Sequence, residues 1–131
     1  MSTTMTLPIS LPSLTPCEAL ADVVHRAVTG IDTPNKPLFV SAFTPDAVFD
    51  VAGTVVEGRD AVTAYVYDRI AQLDTTHLFT NLRVSLENGA ATGTVTAMAL
   101  GQHFRVGEGN AGGSARQFMT GVLYYVDCVR G

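Results

Sequence analysis

The chain has 131 residues, a formal charge of −4, and 47% hydrophobic against 15% charged residues, which fits one globular domain and excludes a disordered body. Its basic residues are scattered, with no stripe to neutralise a phosphate backbone, and no apolar run reaches membrane-spanning length, so the expected partners include neither nucleic acid nor membrane. Cys17 and Cys128 make neither a disulfide framework nor a metal-ligand spacing, and Pro8 and Pro12 interrupt an N-terminus without a charged n-region; a cytoplasmic protein is the expectation.

Residues 1–14, rich in Ser, Thr and Pro, read as an extended or disordered lead-in to a single domain over 15–131. Thr15-Pro16-Cys17-Glu18 is a helix start, with Thr15 as cap, Pro16 in the first turn and Glu18 closing a capping box. Leu20, Ala21, Val24, Ala27 and Val28 follow at helical spacing, and Gly30 reads as the stop. A shorter helix is expected near 35–43, ending before Pro45. Residues 46–58 read as a hairpin turning near Gly53. Asp60 to Leu73 reads as an amphipathic helix whose stripe holds Val62, Tyr65, Val66, Ile70 and Leu73.

From Thr75 the period becomes two. Strands are expected at about 76–87, 90–106 and 115–129, joined by a turn at Glu87-Asn88-Gly89 and a glycine-rich hairpin tip from Gly107 to Ser114. Helices first and antiparallel strands last define an α+β fold, with the helices on one face of the sheet. In the strand at 90–106 one face carries Ala91, Gly93, Val95, Ala97, Ala99, Gly101 and His103. Small side chains there either let the helices approach closely or line a cavity, and the imidazole at the end of the row favours the cavity. The opposite face, with Thr92, Thr94, Thr96, Met98, Leu100 and Phe104, reads as a subunit contact or as ordinary surface.

Few residues can carry chemistry. His25 lies off the apolar stripe of the first helix and reads as a solvated histidine. His77 opens a strand, and alternation places His77, Phe79 and Asn81 on one face; it is either a general base in an apolar wall or a strand-end histidine bonded to backbone. Asp32 is either a turn residue or a carboxylate that orients His77 and stabilises its charged form. Asp46 or Asp50, near the hairpin, are alternative bases for a cyclase.

The segments Ala42-Phe43-Thr44-Pro45-Asp46-Ala47-Val48-Phe49-Asp50, Gly53, Glu57-Gly58-Arg59-Asp60-Ala61-Val62 and Thr76-His77-Leu78-Phe79-Thr80-Asn81 together resemble the SnoaL-like domains of the nuclear transport factor 2, ketosteroid isomerase and scytalone dehydratase superfamily. The resemblance implies a cone-shaped, curved antiparallel sheet wrapped by three helices, here without the family's usual final strand, since the chain ends at Val129-Arg130-Gly131 and has no Trp. It implies an Asp–His dyad at Asp32 and His77, with His103 as a second histidine and Arg116 as a polar pocket residue. Tyr65 and Tyr67 do not match the water-holding tyrosines of scytalone dehydratase. The resulting expectation is a dehydratase, isomerase or cyclase that needs no metal or organic cofactor and takes a small or medium apolar metabolite. Phe79, Asn81, Ala97 and Ala99 would line its substrate pocket, and the protein would be a homo-oligomer through the outer face of the sheet. The other reading is a non-catalytic binding or dimerisation module of the same fold.

Overall fold

The computed structural model describes residues 6–109 and 117–129. Helix α1 runs Pro16–Asp32, opened by the expected capping box: Glu18 N–H donates to Thr15 Oγ1 at 3.2 Å and Thr15 N–H donates to Glu18 Oε1 at 3.1 Å. It does not stop at Gly30. Two more residues follow, because Gly30 serves a different purpose: a Cβ there would lie 2.6 Å from the backbone nitrogen of Phe39. Helix α2, Lys36–Val40, thus crosses directly over a bare stretch of α1, with Asn35 capping it through a 3.1 Å bond from Leu38 N–H. Arg26 ties the two together, donating from Nη1 to the carbonyl of Ser41 at 2.6 Å and to its hydroxyl at 2.9 Å.

Strands β1, Val48–Val51, and β2, Thr54–Glu57, pair as the expected hairpin. Its two-residue turn, Ala52-Gly53, takes φ of 51° and 88°, the left-handed pair that matches strand twist. Helix α3 begins as α-helix at Arg59–Val62, widens to a π-helix over Thr63–Tyr67 and returns to α over Asp68–Ile70. Strands β3, Asp74–Ser85, β4, Thr92–Phe104, and β5, Gln117–Val129, form an antiparallel sheet in the order β3-β4-β5. This is the expected α+β architecture of three helices and antiparallel strands. The sheet differs from a single continuous cone: the hairpin stands as a separate two-stranded sheet, because no strand among the described residues bridges it to β5.

Two apolar clusters hold the molecule together. Leu20 and Val24 of α1 pack with Val95 and Cys128 on the inner face of the sheet. Farther along α1, Ile31 joins Phe39, Val62 and Val66, with Phe49 and Val56 of the hairpin at the edge. One helix therefore contributes to both cores, and its last residue, Asp32, comes out at the seam between them. Both cysteines are free, Cys17 exposed and Cys128 buried. Among the described residues no helix is long and apolar enough to cross a membrane, and no cluster of three metal-binding side chains occurs.

Candidate active site

Asp32 and His77, distant in sequence, meet where the end of α1 passes the head of β3. His77 Nδ1 lies 2.7 Å from Asp32 Oδ1, and the two side chains are only 10% and 18% exposed. A carboxylate accepts, so Nδ1 carries the proton and the lone pair of the neutral ring sits on Nε2. The backbone N–H of His77 donates to Asp32 Oδ2 at 2.8 Å, and the hydroxyl of Thr75 donates to Oδ1 at 2.8 Å. Among the described residues the carboxylate accepts from three donors, two of which do not depend on the imidazole.

Thr75 was reachable from the sequence. The alternation that puts His77 and Phe79 inward also puts Thr75 inward, one step nearer the strand's start, and only its partner on α1 was hidden. Its bond to Asp32 helps fix the carboxylate at the head of β3. Thr75→Val is expected to lower kcat about 10-fold, the worth of one hydrogen bond of ~1–1.5 kcal/mol, with KM unchanged and Thr75→Ser close to wild type. Steady-state kinetics of both variants check this, and an unaltered kcat in Thr75→Val would remove the role.

His103 stands beside the dyad. Its ring meets that of His77 edge-on at 5.2 Å between centroids, and its Nδ1–H donates to the carbonyl of Phe118 at 3.3 Å. Gly101, paired with His77 across the β3–β4 ladder, makes room for both rings: a Cβ there would come within 3.1 Å of His77 Cδ2 and of His103 Cε1. The glycine that looks like one more small residue in a row is thus the floor under two imidazoles.

A cleft of about 350 Å³ opens beside the dyad, lined by His25, Val28, Thr29, Asp32, His77, Leu78 and Phe79. His25 is exposed, as expected, yet it shares a helix face with Thr29 and Asp32 and so borders this cleft. Phe79 lines the cleft too, and its ring packs 5.1 Å from that of Tyr124, whose phenol is pushed up from its ordinary pKa by burial.

Other expected site residues fall elsewhere. Asn81 does not share the face of His77 and Phe79. The register slips between Thr80 and Arg83, Asn81 takes a left-handed φ of 55° and is exposed, and Leu82 and Val84 take over the inward positions. Ala97 and Ala99 do face inward, but they are buried at 1% and 6% exposure and stand outside the cleft. Close approach accounts for the row's small residues at one end, where a Cβ on Gly93 would lie 2.5 Å from Leu20 Cδ2 of α1. Arg116 lies outside the described residues, as does most of the glycine-rich tip. Asp46 and Asp50 are near the hairpin and do not border the cleft.

Comparison with known proteins places these features in context. The model of the SnoaL-like domain family matches residues 12–131. Over 125 residues the chain is 43% identical to terrestric acid biosynthesis cluster protein E of Penicillium crustosum, covering 95% of this chain and 79% of that protein. Among solved structures, a type 2 hexachlorocyclohexane dehydrochlorinase superposes with a TM-score of 0.70 at 20% identity, over 86% of this chain and 74% of that one. ActVI-ORFA of Streptomyces coelicolor superposes with a TM-score of 0.64 at 17% identity, over 86% and 83% of the two chains. At such identities the structural likenesses establish the nuclear transport factor 2-like fold.

Proposed function

The chain belongs to the SnoaL-like domain family, and from that premise we propose that it is a general acid–base enzyme of secondary-metabolite biosynthesis acting through Asp32 and His77. The observation that carries this reading is the 2.7 Å bond between His77 Nδ1 and Asp32 Oδ1 at the wall of an open cleft. Asp32 holds the ring in the tautomer that leaves Nε2 free and stabilises the imidazolium once a proton is taken. The kinship with a protein of the terrestric acid biosynthesis cluster supports the metabolic setting. The substrate class is a small or medium apolar molecule, polyketide- or terpenoid-like, that fits a cleft of about 350 Å³.

In a dehydration, His77 Nε2 removes the proton from the carbon next to a carbonyl. The freed electron pair forms the new C=C bond as the β-hydroxyl leaves, protonated to water, and the proton on His77 returns to solvent. His103, ring to ring with His77 and tied to the Phe118 carbonyl through Nδ1–H, is the group suited to protonate the leaving hydroxyl: as the imidazolium it gives up its Nε2 proton and regains one from solvent, matching the proton that His77 releases. Isomerisation uses the same abstraction with return of the proton at another carbon, and cyclisation uses the carbanion as nucleophile.

The test is hydrogen exchange. A panel of β-hydroxyketones and β,γ-unsaturated ketones, incubated with the protein in D2O, is expected to show deuterium at the carbon next to the carbonyl in recovered substrate or product, read by mass spectrometry. Ligands that bind, by NMR shift mapping onto the cleft, while none exchanges or reacts would favour the non-catalytic binding module instead.

A further inference from the structure

The ladder sets His77, Gly101 and Thr120 side by side, one on each strand of the β3-β4-β5 sheet and all facing inward. His77 turns Nδ1 to Asp32, so the opposite edge of the ring, Cδ2 and Nε2, lies toward Gly101: Cδ2 would be 3.1 Å from a Cβ placed there. His103 Cε1 would be 3.1 Å from the same point, and Thr120 Oγ1 2.9 Å. These are the three atoms nearest to it, so two imidazoles and one hydroxyl converge over the gap that the glycine leaves, and no helix comes closer. Of its two branches, Thr120 turns the hydroxyl and not the methyl nearest to this gap. Among the described residues that hydroxyl has no hydrogen-bond partner of its own. On β5 it stands between the inward side chains of Phe118 and Val122, where a valine would fill the same volume and suit a strand as well. Packing therefore does not account for the oxygen.

We propose that the Thr120 hydroxyl donates a hydrogen bond to the carbonyl oxygen of a ketone substrate and stabilises the charge that gathers there during proton abstraction. This role rests on the acid–base reading of Asp32 and His77. When His77 Nε2 takes the proton from the carbon beside the carbonyl, the C–H electron pair moves into the bond toward the carbonyl carbon. The C=O π pair moves onto oxygen, and Thr120 keeps its own proton throughout. Asp32 offsets the imidazolium but, as an anion, does nothing for that oxygen, which needs a donor on the far side of the ring. His103 is committed to the leaving hydroxyl, and Thr120 is the remaining donor over Gly101. The same chemistry names the end of the substrate held here. No Lys or Arg is among the residues lining the cleft beside His77. One neutral hydroxyl suits the oxygen of a ketone, whereas a carboxylate or phosphate calls for charged, often bidentate, donors.

The probe is 2-tetralone, a ring-fused ketone with acidic hydrogens beside its carbonyl, incubated in D2O with each protein and read by mass spectrometry. Wild type is expected to speed deuterium uptake, Thr120→Val to lose ~10²-fold of that rate, the worth of one donor to a developing oxyanion, and Thr120→Ser to recover the larger part of the loss. All three are expected to share one thermal midpoint. A binding pair isolates the hydrogen bond from the shape of the pocket: 2-naphthol, whose oxygen stands where the enolate oxygen would be, and naphthalene, which lacks it. Thr120→Val is expected to bind 2-naphthol about 10-fold more weakly than wild type and naphthalene equally well. Equal exchange by wild type and Thr120→Val, with His77→Ala inactive, overturns the role of Thr120 and leaves the dyad standing. Exchange by none of the proteins, wild type included, ends the acid–base reading and the role of Thr120 with it. A Thr120→Val protein that loses affinity for naphthalene as much as for 2-naphthol would mark Thr120 as a packing residue and overturns the role as well.

Discussion

His77→Ala is expected to lower turnover by ~10²- to 10⁴-fold, the usual contribution of a positioned general base, while the protein folds as before. The second half of that expectation comes from the geometry around Asp32. Its carboxylate keeps the Thr75 hydroxyl and the His77 backbone N–H, both at 2.8 Å, when the imidazole is removed, so no donor is stranded and the end of α1 stays docked on β3. Loss of rate is thereby separated from loss of structure. The measurement is kcat/KM on a substrate found by the exchange assay, beside the thermal midpoint of each protein. Asp32→Asn in the His77→Ala background should add little further loss, since two residues that act as a unit are not additive. A folded His77→Ala protein with undiminished turnover would refute the dyad.

Gly30→Ala is expected to destabilise the fold, although the position is helical and alanine is the better helix former. Propensity alone predicts a gain of ~1 kcal/mol. Against it stands the crossing of α2: the added carbon would lie 2.6 Å from the nitrogen, 2.8 Å from Cα and 2.9 Å from Cβ of Phe39. Two of those atoms are backbone, so no rotamer change relieves the clash and the helices must separate, loosening the packing of Phe39, which is only 1% exposed. Overpacking of this kind, backbone shifts included, typically costs ~1–3 kcal/mol, and with two backbone atoms under 3 Å the upper half of that range applies, so the clash prevails and a net loss of roughly 1–2 kcal/mol is expected. Urea unfolding with an unchanged m-value would measure it. Because Asp32 is two residues on, the same variant should also lower turnover, and a stabilised Gly30→Ala protein would show that α1 and α2 do not meet as described.

What the sequence determined by itself was most of the local structure. The capping box at Thr15 and Glu18, the Ala52-Gly53 hairpin turn, the amphipathic stripe through Val62 and Val66 and the period-two strands all follow from neighbours a few residues apart, and each formed close to where it was expected. The pairing of Asp32 with His77 was read from a family pattern, and only the folded chain brings the two within hydrogen-bond reach. Tertiary structure alone decided the rest. Gly30 looked like a helix stop, but its role depends on a second helix crossing it. Asn81 seemed to share the face of His77 until a bulge shifted the register, a choice made by pairing with β4 and invisible in the strand's own alternation. Gly101 and Thr75 serve the dyad through partners 24 and 43 residues away, His77 and Asp32. Local conformation depends on each residue's backbone preferences and nearest neighbours, which are written in the chain. Close approach, register and convergence depend on which distant surfaces pack, and that is settled only by the free energy of the whole fold.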